Sequence, residues 1–176
     1  MITDMTTPNP FAMNSDELMA FLAEPRFMAA TTLRKDGTPI TIFLGFEWDG
    51  EAMVFSLRNS RLLNRRLARN SRIVMAVTNE FAPAKYVVME GNAEIIPDDD
   101  REISIRGLVR YMSPDSDFQT QKDIDFDGFI EPYFEVGRTV YRVVPDSIKS
   151  EDGAKWQAGA AGISDDLAKK LDGEES

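Results

Sequence analysis

The sequence predicts a mainly β fold with flanking helices, in which six short antiparallel strands close, or nearly close, into a small barrel. Short runs rich in β-branched and aromatic residues recur between tight turns, and two of those turns are Asp-Gly pairs. Helical periodicity is confined to short segments between those runs. Apolar residues make up 43% of the 176-residue chain, which is enough for one core.

The first three predicted strands form a meander. They are Phe27–Leu33, Thr38–Trp48 and Ala52–Leu57. Asp36-Gly37 and Asp49-Gly50 connect them, and the Asp-Gly pair favours the tight turn of a hairpin. We therefore expect these strands to pair in chain order.

Three more strands complete the predicted barrel. Arg72–Thr78 is the fourth, Tyr86–Ile96 the fifth and Arg138–Val144 the sixth. Gly91 inside the fifth strand indicates a β-bulge, and Pro145 ends the sixth strand.

Helices are expected in the gaps of the barrel. The first follows a cap at Asn14 or Ser15 and is stopped by Pro25. The others, in chain order, are Ser60–Asn70 with Asn59 or Ser60 as its cap, Asp98–Tyr111 with acids in its first turn, and a second short helix within Asp125–Phe134.

These elements predict one domain over residues 14–150. A flexible N-terminal tail over 1–13 is Thr/Pro-rich, and a partly disordered C-terminal extension over 151–176 ends in Gly-Glu-Glu-Ser. The role of the acidic stretch over 115–135 stays open between a lid over a cleft and an exposed insertion.

The composition excludes several classes of site. The chain has no cysteine and no histidine, so disulfides, thiolate nucleophiles, His-based triads and Cys- or His-ligated metals are ruled out, and we expect no metal site. The N-terminus has no signal-peptide pattern and no apolar run is long enough to span a membrane. We expect a cytoplasmic protein without a membrane partner.

Positive charge is concentrated in one segment of an otherwise acidic chain, whose net charge is −10. Where a helix starts after a strand, its free N–H groups favour a phosphate, and Arg58 and Arg61 lie at that point. The other interpretation is a solvated basic face, which suits the arginines further along the helix better. A nucleic-acid partner is disfavoured because the interleaved residues are Leu and Asn rather than aromatic. The six arginines are Arg58, Arg61, Arg65, Arg66, Arg69 and Arg72.

No catalytic motif accompanies this anion site. The glycine-rich nucleotide loops and the HExxH metal motif are missing, so no catalytic residue is assigned. A chain without His or Cys suits redox chemistry carried by a bound cofactor, because the protein then supplies only position and electrostatics.

Four segments resemble the pyridoxamine 5'-phosphate oxidase-like FMN-binding split-barrel superfamily, most closely its flavin/deazaflavin oxidoreductase branch. The resemblance extends over roughly Ser15 to Ile96 and is weaker at Arg138–Val144. The segments are Ala29–Pro39 (AATTLRKDGTP), Phe46–Gly50 (FEWDG), Leu67–Ile73 (LARNSRI) and Tyr86–Ile95 (YVVMEGNAEI).

The resemblance implies a split-barrel homodimer that binds FMN or a deazaflavin coenzyme at the subunit interface. It implies an oxidoreductase that transfers hydride to a small substrate; the alternatives are a non-catalytic barrel that binds or sequesters a cofactor or porphyrin, and a chain whose basic face docks an acidic partner. Thr41 and Tyr86 are candidates for a substrate contact. The implied roles are Ile40, Thr41, Ile42 and Phe43 along the ring, Phe55, Ser56 and Leu57 at ring and ribityl chain, Arg58, Ser60 and Arg61 at the phosphate, and Tyr86 reaching in from the partner subunit.

The chain departs from the family pattern at the phosphate site. Leu63 stands where relatives usually carry a phosphate-binding Lys, Arg66 replaces a common Asn, and Ser71 replaces the usual Pro. Loss of one charge-assisted bond costs about 1.5–3 kcal/mol, so another cation, with Arg58 as the candidate, is needed to restore the affinity.

Overall fold

The structure is a computed structural model that describes residues 9–24, 26–79, 82–112, 135 and 137–159. Its strands form two antiparallel sheets. The five-stranded sheet has the order β2-β1-β5-β6-β9 and the four-stranded sheet the order β3-β4-β8-β7. The strands are β1 (Phe27–Leu33), β2 (Pro39–Gly45), β3 (Glu47–Trp48), β4 (Met53–Arg58), β5 (Arg72–Thr78), β6 (Lys85–Asn92), β7 (Glu94–Ile96), β8 (Arg138–Val143) and β9 (Pro145–Asp152).

The mainly β, antiparallel prediction is confirmed, but the closed six-stranded barrel is wrong. Two predicted strands are each divided between the sheets: Thr38–Trp48 becomes β2 and β3, and Tyr86–Ile96 becomes β6 and β7. The chain changes sheet at Phe46 and at Ala93, whose side chains are buried between the sheets at 4% and 9% exposure. At each crossing the buried side chain packs in the core, and the strand that the sequence predicts as continuous is divided into two.

The last strand was not predicted. Pro145 was expected to end the β structure, yet it begins β9, which pairs with β6 along the edge of the five-stranded sheet. An edge strand tolerates proline because one side of it needs no ladder donor. The pairing register shifts between Glu90 and Gly91, which confirms the predicted bulge.

Both Asp-Gly turns are present. Gly37 and Gly50 have φ of 85° and 102°, values that residues other than glycine seldom adopt. Asp36 accepts a hydrogen bond from the Thr38 N–H at 3.0 Å, and Asp49 accepts one from the Ala52 N–H at 2.7 Å. The aspartate of each turn therefore stabilises that turn. The turns and the pairing of neighbours in chain order are as predicted, but the second turn connects β3 to β4 in the other sheet, so the three predicted strands do not form one meander in a single sheet.

Three helices lie against the sheets: α1 (Ser15–Ala23), α2 (Leu62–Arg69) and α3 (Glu102–Met112). The predicted Asn14 cap is confirmed, and with Glu17 it forms a complete capping box. In α2 the cap is Arg61, without a side-chain capping bond, so the expected cap at Asn59 or Ser60 is wrong. Residues 153–159 are also helical.

The core lies between the sheets and the helices α1 and α2. Alternate residues of β1 and β5 point inward, and Met28, Met75 and Leu22 are fully buried. Burial of each such side chain contributes about 1.5–3 kcal/mol.

The opposite face of the five-stranded sheet carries a row of small and apolar residues. The pairing register aligns Phe43, Ala29, Ala76 and Val88 across four strands. Phe43 is 75% exposed and Ala29, Ala76 and Val88 are half-buried. We call this row, with Val74 and Tyr86 on the same face, the outer face.

Some predictions fall on residues outside the described ranges. They are the acidic stretch over 115–135, apart from Glu135, the short helix within Asp125–Phe134, and most of both terminal segments. The bounds 14–150 of the domain stay a prediction. Among the described residues, no helix is long and apolar enough to cross a membrane.

Candidate functional site

A cavity of about 370 Å³ lies between β2, β4 and α3, with Arg138 of β8 at one end. Its volume falls in the range of sites that hold small molecules. One wall is apolar: Ile42 and Phe43 come from β2, and Phe55 and Leu57 from β4. The Phe55 ring stacks on Tyr141 at 5.4 Å between ring centroids, which fixes that part of the wall.

One end of the cavity is cationic and is formed by Arg58, Arg61 and Arg138. We call it the arginine end. Arg58 and Arg138 are register partners on β4 and β8, and the Arg61 N–H donates to the Arg58 carbonyl at 2.9 Å. Three positive side chains on adjoining backbone create a strong local field that favours an anion.

The Arg138 guanidinium is fixed in position by two hydrogen bonds to Ser56. Its Nε donates to Ser56 Oγ at 2.7 Å, and one terminal nitrogen donates to the Ser56 carbonyl at 3.0 Å. Because the planar guanidinium is anchored at two points, little conformational entropy remains to be lost when an anion binds.

The turn that carries Arg58 and Arg61 is equally well ordered. Asn64 Nδ2 donates to the Arg58 carbonyl at 2.8 Å, and Asn64 Oδ1 accepts from the Tyr141 hydroxyl at 3.0 Å. Burial raises the pKa of Tyr141 above its ordinary value, so this hydroxyl keeps its proton and stays a donor. The first turn of α2 holds no acidic residue, which leaves the positive helix end available to a ligand.

Helix α3 closes the other side of the cavity and is attached at three places. Asp98 caps it by accepting from the N–H groups of Ile103 and Ser104 at 2.9 and 3.1 Å. Ser104, 2% exposed, lies 2.8 Å from Ser56, Oγ to Oγ. Arg106 Nε lies 3.0 and 2.9 Å from the two carboxylate oxygens of Glu47.

The chain is similar in sequence and in structure to known proteins. Residues 15–129 match the family model described as pyridoxamine 5'-phosphate oxidase. The chain belongs to this family. The resemblance seen in the sequence is thereby confirmed.

Individual relatives agree with the family model. Over 115 residues the chain is 30% identical to an F420H(2)-dependent biliverdin reductase of Mycobacterium tuberculosis, covering 62% of this chain and 81% of that protein. A solved structure titled F420 reductase is 25% identical, with a TM-score of 0.59 over 73% of this chain and 93% of that one. A conserved hypothetical protein of M. tuberculosis shares the fold at 19% identity, with a TM-score of 0.70 and coverage of 87% and 93%.

The cavity brings together most of the residues that the family resemblance assigned to the cofactor. Four of the assigned residues lie elsewhere. Thr41 points to the outer side of β2, where its hydroxyl lies 2.7 Å from that of Thr31. Ile40 and Ser60 do not line the cavity. Those that line it are Ile42, Phe43, Phe55, Ser56, Leu57, Arg58 and Arg61.

The fourth, Tyr86, lies on β6, on the outer face and away from the cavity of its own chain. Its hydroxyl is hydrogen-bonded to Glu151, and this bond raises the pKa of Tyr86 above its ordinary value. The tyrosine is therefore neutral, and 38% of its surface is exposed.

Two of the later arginines, Arg69 at the end of α2 and Arg72 at the start of β5, have structural partners. Arg69 donates to the Leu33 carbonyl at 2.7 Å, and Arg72 pairs with Asp146 and Glu90. Neither lines the cavity.

Leu63, at the position of the family's usual lysine, is 2% exposed and belongs to the core cluster. The residue that joins Arg58 and Arg61 in the cavity is instead Arg138, from a strand that follows by about 80 residues. Sequence reasoning missed Arg138, and it also missed Ser104 and Gly107 of α3. The signal available was the predicted strand at 138–144, but nothing local shows which strand it pairs with.

Proposed function

We propose that this protein is a flavin- or deazaflavin-dependent oxidoreductase that transfers hydride to a small substrate and binds its cofactor in the cavity beside α3. The observation that carries the proposal is one cavity with an apolar wall on two strands and three arginines at one end. A ligand with a planar ring and a phosphate-bearing tail matches both parts. The relative that reduces biliverdin with F420H(2) supports the same class of activity.

The residues present fit such a cofactor. Arg58, Arg61 and Arg138 would hold the phosphate by charge-assisted hydrogen bonds. Phe55 and Leu57 would exclude water from one side of the ring, which strengthens every electrostatic interaction beside it. When bound, the cofactor supplies the hydride chemistry, and the chain supplies position, a dry wall and a fixed positive field.

We also propose that the protein is a homodimer, built by two copies of the outer face. Phe27 and Phe43 line the cavity and are 60% and 75% exposed, so the cavity opens at the edge of this face. A second copy packed there would cover both rings and close the cavity. Tyr86 lies on the same face, in a position to meet the partner.

A second candidate function is cofactor or porphyrin binding without turnover. Among the described lining residues, the titratable groups are three arginines and Glu47, and the glutamate is already paired with Arg106. No described lining residue is a histidine, lysine, tyrosine or cysteine, which are common general acids and bases. Such a site holds a ligand well, whereas turnover then requires the proton to come from water or from a residue outside the described ranges.

The visible spectrum of the purified protein and titration with FMN and with a deazaflavin test the proposal. We expect sub-micromolar binding of at least one of them. Oxidation of the reduced cofactor, followed by absorbance with biliverdin as the first acceptor to try, then separates catalysis from binding. A protein that binds neither compound contradicts the oxidoreductase, and one that also fails to bind a porphyrin contradicts the second candidate function.

Substitution at the arginine end locates the phosphate. Arg61→Ala should weaken cofactor binding by about 2 kcal/mol, roughly a 30-fold rise in Kd, because a charge-assisted hydrogen bond is lost. Arg69→Ala is the matched control, since Arg69 lies on the same helix but bonds the Leu33 carbonyl outside the cavity. Equal losses in the two variants, measured by fluorescence titration, would place the phosphate elsewhere.

A further inference from the structure

Gly107 lies in the middle of α3 and lines the cavity. An interior helix position is a poor place for glycine, because alanine there stabilises the helix more. Two other glycines have a clear structural reason: a Cβ on Gly91 would come within 2.7 Å of Val143, and Gly137 has a φ of 64°. Gly107 has no such reason. Its φ is not positive, and a Cβ there would meet nothing within 4 Å among the described residues.

The place of Gly107 along the cavity follows from the contacts of α3. Ser104 touches Ser56, while Arg106 bonds Glu47, the register partner of Val54. The helix therefore runs along β4 away from the arginine end. Arg58 and Val54 are four residues apart on that strand, which is about 13 Å.

Helix α3 presents small residues to this part of the cavity. Ser104 and Gly107 are three residues apart and so share a face of α3, with Ile103 and Leu108 beside them. Ile42 of β2 and Val54 of β4 also line the cavity, and Val54 lies on the face of β4 that carries Ser56. A slot with small residues on one side and apolar residues on the other admits a flat group and excludes a thick one.

We propose that Gly107 sets the width of a slot for a planar conjugated ring, and that the ring packs against its bare backbone. The inference rests on the proposed function and deepens it, because it limits the ligands of this site to flat, fused-ring compounds that carry an anionic group. The ring belongs either to the cofactor or to a substrate stacked upon it, and the experiment distinguishes these sources.

The variants are Gly107→Ala and Gly107→Leu, both of which favour the helix and so are expected to fold. Gly159→Ala is the control: it lies in the helical segment 153–159 outside the cavity, where a Cβ would meet Phe11 at an ordinary 3.6 Å. Each is made in the full chain, and melting temperature, Kd for FMN and for a deazaflavin, and KM for the acceptor are measured.

We expect Gly107→Ala to raise the melting temperature by about 2–4 °C, because helix propensity improves and nothing clashes. Gly107→Leu should weaken ligand binding at least tenfold while the control binds like wild type. A rise in cofactor Kd assigns the slot to the cofactor ring. A rise in KM at unchanged Kd assigns it to the substrate. A lower melting temperature for Gly107→Ala, or Kd and KM of Gly107→Leu within twofold of wild type, would overturn the inference.

A planar aromatic anion, anthraquinone-2-sulfonate, separates this inference from the proposed function. If wild type binds neither FMN nor the deazaflavin, the proposed function fails. A tenfold weaker binding of the sulfonate by Gly107→Leu than by wild type then still supports the slot. Equal binding by both, or none by either, overturns it.

Discussion

Asp152 is a buried carboxylate at the end of β9, only 4% exposed. It lies 2.9 Å from Lys85 Nζ and accepts from the Ala154 N–H at 2.9 Å, while its own N–H donates to the Phe11 carbonyl at 2.8 Å. Burial acts to raise its pKa, but the bonds from Lys85 and the Ala154 N–H outweigh burial, so the pKa of Asp152 lies below its ordinary value of 3.8. One residue thus joins the N-terminal segment, β6 and the helical segment 153–159.

This lowered pKa makes stability depend on acid pH. Because the folded state binds the proton less readily than the unfolded state, the stabilisation is complete above pH 3.8 and is lost as pH falls through the lower folded pKa. Asp152→Asn should lower the free energy of unfolding by about 1–3 kcal/mol at pH 7, since Lys85 loses its partner. Urea titrations at pH 7 and pH 3 should show the gap to wild type narrowing in acid. A constant gap would mean that the ion pair is not its origin.

Residues of the cavity were predictable from sequence where they are close together in the chain. Arg58 and Arg61 stand at a strand-to-helix junction, and that local pattern alone indicates an anion site. Arg138 reaches the same point only through the pairing of β4 with β8, and long-range register leaves no local signature. Ile40 and Thr41 were assigned by family resemblance, but Thr41 lies on the outer face beside Thr31, and neither residue lines the cavity.

At the scale of elements, α3 depends on a few polar contacts for its position over the cavity. Asp98 accepts hydrogen bonds from two N–H groups of its first turn. Glu47 binds the partly exposed Arg106 of the helix, and Ser56 contacts its buried Ser104. Helices attached in this way open locally before the sheets do. Access to the cavity is therefore coupled to the strength of these contacts.

Removal of the cap tests that coupling. Asp98→Ala should destabilise α3 by about 1–2 kcal/mol, because two buried donors lose their acceptor. Amide hydrogen exchange in α3 should become roughly 5- to 30-fold faster, with the amides of β5 unchanged as the internal control. Acceleration spread evenly over both helix and sheet would show that the cap stabilises the whole fold rather than this helix.

Elements were predicted better than their pairing. The turn at Asp36-Gly37, the bulge at Gly91 and the helix capped by Asn14 follow from local chemistry, and each is present. One predicted strand is divided at Phe46 because its two halves pair with different sheets. Strand β9 forms because β6 offers it a free edge for pairing. Both are tertiary effects that override a local pattern.

At the scale of the whole molecule, two packed sheets bury one face each, and the described residues leave the outer face uncovered. The aligned row from Phe43 to Val88 holds no charged residue, although the chain carries a net charge of −10. Depletion of charge at the centre of an apolar patch is typical of an interface core. The proposed dimer would use this face and would complete the cavity at Phe27 and Phe43.

Ala76 lies at the centre of that row, so Ala76→Arg places two charges against each other where the proposed twofold contact closes. We expect wild type to be dimeric and the variant monomeric in light scattering at the same concentration. Cofactor binding should fall with the dimer, because the cavity then stays open beside Phe43. Ala68→Arg, on the exposed side of α2, is the matched control and should remain dimeric. If Ala76→Arg stays dimeric with unchanged Kd, the second copy binds elsewhere; if it is monomeric with unchanged Kd, the cavity is complete within one chain.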